Sequence, residues 1–450
     1  MKIILIILFS CFILKAEQKP NMVFIIADDC TFRDLECYGG QAKTPNMNKL
    51  AAEGMKFERC FQAAPMCSPT RHNIYTGLYP VKSGAWPNHT HAYDHVKSIV
   101  HHLEPLGYDV FQTGKSHVAP QKVFPFKTLN VGKSPDFAKI DEMMRESAKN
   151  KKPFCLFVCS NEPHTPWNKG NASVYPPDKI KLPPYIVDTP VVRSSFSKYL
   201  AEVTYFDSEV GKVLAAIDKY GLKENTMVMV VSEQGNAFPF AKWTCYDSGL
   251  QAGMIVRWPG KVKEGSIAQA MVEYVDVTPT FIDIAGGEPV SGLDGKSFKK
   301  VLLGETDEHK SHVFGIMTSR GINGGPEAYG IRSVRSEKYK LIWNLNYENT
   351  FSNMCTATSY FNSMERKAEA GDETAQKYVK LYKNRPEFEL YDLKKDPLEL
   401  NNIAANPENS SIMKELKVEL DKWMAEQGDK GVETEMKAKT RQIRGRKKKK

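Results

Sequence analysis

Cys67 lies in the stretch APMCSPTRHNIYTG, in a Ser-Pro-Thr-Arg turn directly ahead of what reads as a helix, with the cation Arg71 two residues past the proline. A cysteine so placed can be half of a disulfide, a thiolate nucleophile, a metal ligand or the precursor of another side chain. A thiolate needs a nearby base and a helix N-terminus to depress its pKa, and His72 offers such a base for a thiol hydrolase. That reading leaves two acidic clusters idle. Asp28-Asp29 follows one apolar run and Glu233-Gln234 follows another; either pair alone can be a cap or a turn start. Together they hold the carboxylate and amide oxygens that a hard cation such as calcium gathers from separate segments. Two such clusters converging in a buried place would otherwise be costly. Lys115-Ser116-His117, Glu162-Pro163-His164 and Lys242 add cations and titratable nitrogens from three further segments. A lone histidine is more often structural, and a lysine near a strand end is usually solvated. Beside an acidic metal set, however, these groups fit an anionic substrate, whose oxygens need neutralising and whose leaving group needs a proton.

The segments that must position these residues carry clear periodicities. MVFIIA before Asp28 is a short apolar, β-branched run, the pattern of a buried strand delivering carboxylates at its C-terminal end. PFCLFVCSNEPH (153–164) and TMVMVVSEQG (226–235) repeat that design. Between them Val203, Phe206, Val210, Val213 and Ile217 recur at helical spacing, with Gly221 as a stop. Strands alternating with helices predict a mostly parallel α/β sheet whose ligands gather beyond the carboxyl ends of its strands. Past about residue 325 the texture changes: YGIRSVRSEKYKLIWNLN alternates like antiparallel strands, and FELYDLKKDPLELNNIA reads as a strand and turn. SSIMKELKVELDKWMAEQG closes as a helix with Ser410 or Ser411 available as its cap. The expected layout is a main domain over 20–325, a smaller C-terminal subdomain over 326–430 and a basic tail over 431–450.

With 450 residues and ordinary apolar and charged fractions, the chain is long enough for a large core, which excludes disordered and collagen-like classes. The first residues, MKIILIILFSCFILKA, read as a secretory signal over 1–16, too short to span a bilayer. Leu8 to Cys11 loosely resembles a lipoprotein box, but the apolar stretch ahead of it is very short. The expected localisation is therefore exported, periplasmic or extracellular, with no transmembrane segment. The formal charge of +9 invites a nucleic-acid reading, yet RQIRGRKKKK alone carries seven cations, leaving about +2 for the rest (9 − 7). A near-neutral body predicts no nucleic-acid partner, and the run reads as a solvated, disordered end, or else as a holder of an anionic polymer or surface. The cysteines lack CxxC metal spacing, and Cys155 and Cys159 fall in an apolar run where free buried thiols are common.

Cys67-Ser68-Pro69-Thr70-Arg71, followed by Thr76-Gly77, resembles the signature of type I sulfatases, in which Cys-x-Pro-x-Arg marks a cysteine oxidised to formylglycine. GKSHVAPQKVFPF (114–126), FPF at 238–240 and YGIRSVRSEKYKLIWNLN are similar to the heparan N-sulfatase, or sulfamidase, branch. The resemblance implies an alkaline-phosphatase-like sulfatase fold. It implies one calcium ion held by Asp28, Asp29, Glu233, Gln234 and the modified Cys67. It further implies that Arg71 and Lys115 steady the formylglycine hydrate and the sulfate, that His164 or Lys242 protonates the leaving group, and that His117 takes the proton of the remaining hydroxyl. A formylglycine-generating enzyme is the implied partner during maturation.

One departure stands out. The family's usual second metal pair is Asp with Asn or His, whereas this chain has Glu233 and Gln234, each a methylene longer. The expected function is removal of O- or N-linked sulfate from sugars of a sulfated polysaccharide such as a glycosaminoglycan, or from its oligosaccharides. The alternatives are a phosphatase or phosphonate-ester hydrolase of the same superfold and a non-catalytic binder of sulfated glycans. Retention of both histidines, both lysines and the metal candidates weighs against the binder.

Overall fold

The computed structural model describes residues 18–130, 132–319 and 328–443. The expected signal over 1–16 and the last seven residues of the basic run lie outside them. A nine-stranded sheet is built from β1 (Asn21–Ile26), β2 (Met55–Phe61), β3 (Asp109–Gly114), β4 (Lys127–Thr128), β5 (Phe154–Cys159), β6 (Thr226–Val231), β7 (Gln251–Arg257), β8 (Ser266–Ala268) and β9 (Val272–Glu273). Their order is β4-β3-β5-β1-β6-β7-β2-β8, with β9 also on β2. Pairing is parallel except where β7 lies antiparallel between β6 and β2, so the expected mostly parallel α/β sheet is what forms.

Why the strands read as unbroken apolar runs is visible in β1. Met22, Phe24 and Ile26 enter one core cluster, while Val23 and Ile25 enter the other on the opposite face. Both faces are covered, so alternation between polar and apolar residues has no room to appear. The helices α1 (Cys67–Thr76), α2 (Phe137–Asn150) and α3 (Pro190–Lys219) lie among these layers. The periodicity from Val203 to Ile217 is the core face of α3, but the helix begins well upstream, at Pro190. Thr189 caps it by accepting from the backbone N–H of Val192 at 3.1 Å, and proline at the first position has no helix hydrogen bond to lose.

A second, antiparallel sheet comprises β10 (Val313–Met317), β11 (Ile331–Arg335), β12 (Tyr339–Asn344) and β13 (Phe388–Asp392). It starts ahead of the expected boundary at 326. Here the period of two decides the packing: Ile331, Ile342 and Tyr391 join a core of the main domain, while Val334, Leu341 and Leu390 face the closing helix α4 (Ser410–Gln427) through Leu416, Leu420 and Trp423. Asn409 occupies the cap position of α4, and Ser410 and Ser411 are its first helical residues, which corrects the serine cap.

The solvated tail expected from residue 431 also needs correction. Residues 432–437 form a short helix, α5 (Val432–Lys437), whose Glu435 is fully buried and accepts from the backbone N–H of Ser319 at 3.1 Å. Gln442 then bridges Thr90, and Arg441 donates to the carbonyls of Gly84 (2.9 Å) and His91 (2.8 Å). Donors and acceptors on distant segments order these residues despite their charge. No helix among the described residues is long and apolar enough to cross a membrane.

Candidate active site

The four strands β3, β5, β1 and β6 are neighbours, parallel, and level at their ends. Ile26 is in register with both Cys159 and Val231, and Gly114 with Cys159. Whatever follows each strand therefore leaves the same edge of the sheet: Asp28-Asp29, Lys115 to His117, Glu162 to His164, and Glu233-Gln234. Gly114 is required where it stands, at φ +82°, because an added Cβ would lie 2.0 Å from the carbonyl oxygen of Cys159. β2 reaches that edge too, being antiparallel to β7 and so parallel to β6. It leads into α1, whose first residue is Cys67 and whose ten residues are all buried. Pro69 falls in the first turn, where no N–H is missed. Gly77 ends the helix in the left-handed region at φ +65°, with its N–H on the carbonyl of Asn73. Lys242 comes from the loop between β6 and β7.

A cleft of about 500 Å³ opens above these ends, lined by Asp29, Cys67, Lys115, His117, His164 and Lys242. Beneath it Asp28, Cys67 and Glu233 each place a potential ligand atom within 4.8 Å of the others, all buried. Asp28 Oδ1, both carboxylate oxygens of Glu233 and Gln234 Oε1 have no hydrogen-bond partner. Buried oxygens left without donors are costly, and an oxygen-rich, anionic donor set suits a hard divalent cation. The residues present therefore fit a metal ion.

Cations surround this floor. Arg71 Nε lies 2.6 Å from Glu233 Oε1 as a charge contact whose N–H is not aimed at the oxygen, while Nη1 donates to the carbonyl of Lys115 at 2.7 Å. The Lys115 ammonium sits against Asp28. Asp29, at φ +64°, stands beside the cluster: Lys242 Nζ is 2.6 Å from its Oδ2, His164 Nε2 is 3.7 Å from the same oxygen, and the Gln234 amide donates to its Oδ1. Asp28, Asp29, Cys67, Arg71, Lys115, His117, His164, Glu233, Gln234 and Lys242 thus meet here. Glu162 turns aside and pairs with Lys169 at 2.7 Å.

Burial opposes the charged form of Asp28, but Lys115 first, then His164 and Arg71, hold its carboxyl well below the usual range. Burial pushes the Glu233 carboxyl well up; Arg71 pulls against this, and the neighbouring Asp28 carboxylate adds to it. The ammonium of Lys242 holds its proton more firmly than usual, because Asp29 foremost outweighs the burial penalty. Burial, then Lys115 and His89, keep His117 neutral, well below the ordinary imidazole range. The Cys67 thiol is pushed up by burial to about 11, so at neutral pH it is not a thiolate. His72 gives no help: its Nδ1 lies 2.7 Å from the carbonyl of Ser68 and its Nε2 3.2 Å from that of Ala119. The thiol-hydrolase arrangement is absent.

Sequence reasoning missed Asn88, His89, Lys133 and Trp243, which also line the cleft. Asn88 Oδ1 is 3.9 Å from Cys67 Sγ, and His89 Nδ1 is 2.9 Å from His117 Nε2. Asn88-His-Thr reads only as a glycan acceptor in sequence, and Lys133 as one more surface lysine. No local signal marks either as part of a site.

A cleft with this floor and rim is the layout of a hydrolase for anionic esters, and comparison with known proteins narrows it. The chain belongs to the sulfatase family: residues 20–287 match the family model described as Sulfatase. Residues 235–357 and 359–426 match the model for the C-terminal part of N-sulphoglucosamine sulphohydrolase, in keeping with the sulfamidase-like branch. An ulvan-active sulfatase of Formosa agariphila is 33% identical over 92% of this chain and 81% of its own length. Human N-sulphoglucosamine sulphohydrolase is 26% identical over 92% of this chain and 91% of its own. A solved structure of a protein in complex with its substrate D-glucosamine-2-N,6-O-disulfate superposes with a TM-score of 0.70 at 21% identity, covering 92% of this chain and 99% of that one. The protein is a sulfuric ester hydrolase, a reading these relatives favour over the phosphatase and glycan-binder alternatives.

Proposed function

We propose that this sulfatase is exported and removes O- or N-linked sulfate from sugars of a sulfated polysaccharide or its oligosaccharides, with Cys67 matured to formylglycine by a formylglycine-generating enzyme and with one bound calcium ion. The observation that carries this reading is the meeting of Cys67 with the unpartnered oxygens of Asp28 and Glu233 under a cation-lined cleft. Sugar substrates of the relatives, ulvan and a disulfated glucosamine among them, support the substrate class.

When present, formylglycine supplies a hydrated aldehyde whose hydroxyl can attack sulfur, and the divalent ion supplies charge neutralisation. The rest is the work of this chain. Asp28, Glu233 and Gln234 would hold the cation through their unpartnered oxygens, with Asp29 beside them. Lys115 and Arg71 offer positive charge to the sulfate oxygens on one side of the cleft, and Lys242 does so on the other. The firm hold of Lys242 on its proton suits it to neutralising charge and leaves His164 to protonate the departing oxygen or nitrogen. His117, kept neutral, accepts a proton at the side of Cys67.

The test is sulfate release across a panel of defined N- and O-sulfated oligosaccharides, with and without a calcium chelator, alongside intact-mass analysis of the enzyme from its native host. Conversion of the thiol of Cys67 to an aldehyde, and release from at least one saccharide that the chelator suppresses, are expected. A thiol retained at position 67 in an active enzyme would overturn the reading.

A further inference from the structure

The two ring nitrogens of His117 have different surroundings. Nε2 lies 2.9 Å from Nδ1 of His89, with the ring centroids 4.9 Å apart and the rings inclined at 50°. Nδ1 is buried and has no hydrogen-bond partner. A neutral imidazole carries one proton, so one nitrogen donates and the other accepts. With the proton on Nδ1, a buried N–H is stranded without an acceptor, which costs free energy, and that nitrogen has no lone pair to offer. With the proton on Nε2, the ring donates to His89 Nδ1 and its own Nδ1 stays bare. The bond at one nitrogen thus decides what the other can do.

Two loops must be held in place for these rings to meet. Both histidines sit in the left-handed region at φ +54°, a conformation that a non-glycine residue keeps only where its surroundings enforce it. Ser68, directly after Cys67, donates from Oγ to the carbonyl of His117 at 2.9 Å and accepts from the backbone N–H of Thr90 at 3.4 Å. One hydroxyl therefore ties both loops to the start of α1. From the other side, the backbone N–H of Ile443 donates to the carbonyl of His89 at 2.8 Å, and the Gln442 side chain donates to that of Asn88 at 2.9 Å. His89 is also kept from becoming a cation. Partial desolvation of its ring acts first, followed by the charges of Lys115, Lys242, His164 and Lys133, so its Nδ1 keeps the lone pair that an acceptor needs.

Resting on the proposed role of His117 as base, we infer that His89 is a positioning residue. It accepts from His117 Nε2–H and so holds His117 in the one tautomer whose Nδ1 can take a proton beside Cys67. On taking that proton His117 gains an Nδ1–H, keeps its Nε2–H and becomes an imidazolium near Lys115 and Arg71. No bond at His89 breaks. The hydrogen bond between the rings then becomes charge-assisted and stronger, which offsets part of the cost of a further cation in this place.

The experiment compares the wild-type protein with His89→Asn and His89→Ala. Asparagine offers an amide oxygen where His89 has Nδ1 and tolerates the left-handed backbone, so it keeps the acceptor, whereas alanine removes it. Ring-nitrogen NMR of protein labelled with nitrogen-15 histidine reads the tautomer of His117, and His117→Gln assigns its signals. This measurement requires neither maturation of Cys67 nor a metal ion. At neutral pH the wild type and His89→Asn should show His117 protonated at Nε2, and His89→Ala should show a mixture of tautomers. On a sulfated saccharide His89→Ala should lower kcat about 10–100-fold with KM moving by no more than about twofold, and His89→Asn should restore kcat to within about threefold of the wild type. A His117 protonated at Nδ1 in the wild type would overturn the inference. So would an unchanged tautomer or an unchanged kcat in His89→Ala, or a His89→Asn protein as slow as His89→Ala. If His89→Ala fails to fold, the wild type and His89→Asn still decide the matter through tautomer and kcat. Absence of sulfate release from every saccharide would sink the proposed function, while the NMR measurement still decided which nitrogen His89 holds.

Discussion

Chelating the cation should destabilise the fold, and by an amount that grows with pH. In the ion-free site Glu233 is buried with neither oxygen hydrogen-bonded, and its carboxyl is held well above its ordinary range by burial first and by Asp28 next. A group whose folded pKa is raised binds more protons folded than unfolded, so the ion-free protein loses stability as pH climbs from about 4.3 toward the folded value. Asp28, held well below the usual range, has its sign reversed, but its window lies below that interval and contributes no slope there. A cation entering the site displaces the Glu233 proton, so calcium affinity should rise up to tenfold per pH unit, about 1.4 kcal/mol. At a calcium concentration of ~100 times Kd the stabilisation is about 2.7 kcal/mol. For 450 residues at roughly 2.1 cal/mol/K each, the unfolding entropy is about 0.9 kcal/mol/K, so Tm should rise by about 3 °C. Each further pH unit at fixed calcium should add about 1.5 °C. Scanning calorimetry at pH 5, 6, 7 and 8, with calcium and with chelator, reads this directly. A calcium increment that is flat across those pH values would refute proton exchange at Glu233, and no increment at all would refute the metal site.

Replacing Cys67 by alanine should cut sulfate release by about 10⁴-fold or more, as loss of a nucleophile does, while Tm in chelator moves by only about 1 °C; a variant retaining a tenth of the activity would disprove the role of that residue. Phe24→Ala removes a fully buried ring that meets Phe157 at 5.5 Å and Phe281 at 6.2 Å between centroids. It should destabilise by about 3–5 kcal/mol, and a loss below about 1 kcal/mol in denaturant titration would contradict the packing described for β1. Arg441→Ala deletes donors to Gly84 and His91, a net loss of about 1–2 kcal/mol. Amide hydrogen exchange around residues 88–91 should accelerate about tenfold, and unchanged exchange there would show that the C-terminal segment does not brace the cleft.

What could be read from sequence and what could not differ in the separation over which they are determined. Strands buried on both faces must be apolar throughout, so β1, β5 and β6 announce themselves, and the acids and amides directly after them are positioned by the same local register. Cys67 and Arg71 share a single helical turn. Asn88 and His89 are different: their loop is held by residues more than three hundred positions later in the chain, through Gln442 and Arg441, and nothing local foretells that pairing. The start of α3 hid for a smaller reason, since Thr189-Pro190 is a cap signal only if the apolar spacing is followed upstream into a stretch that reads as loop.

Charge composition misleads in the same way. A run rich in lysine and arginine is solvated when it has no partners, yet in residues 431–443 Glu435 accepts from Thr318 and Ser319, Arg441 donates to the carbonyls of Gly84 and His91, and the segment folds. Composition describes a segment in isolation, whereas burial of Glu435 and Ala438 depends on what the rest of the chain leaves exposed. A segment free from residue 431 would leave the loop at 88–91 unbraced, whereas the backbone N–H of Ile443 on the carbonyl of His89 holds it against the cleft that His89 lines.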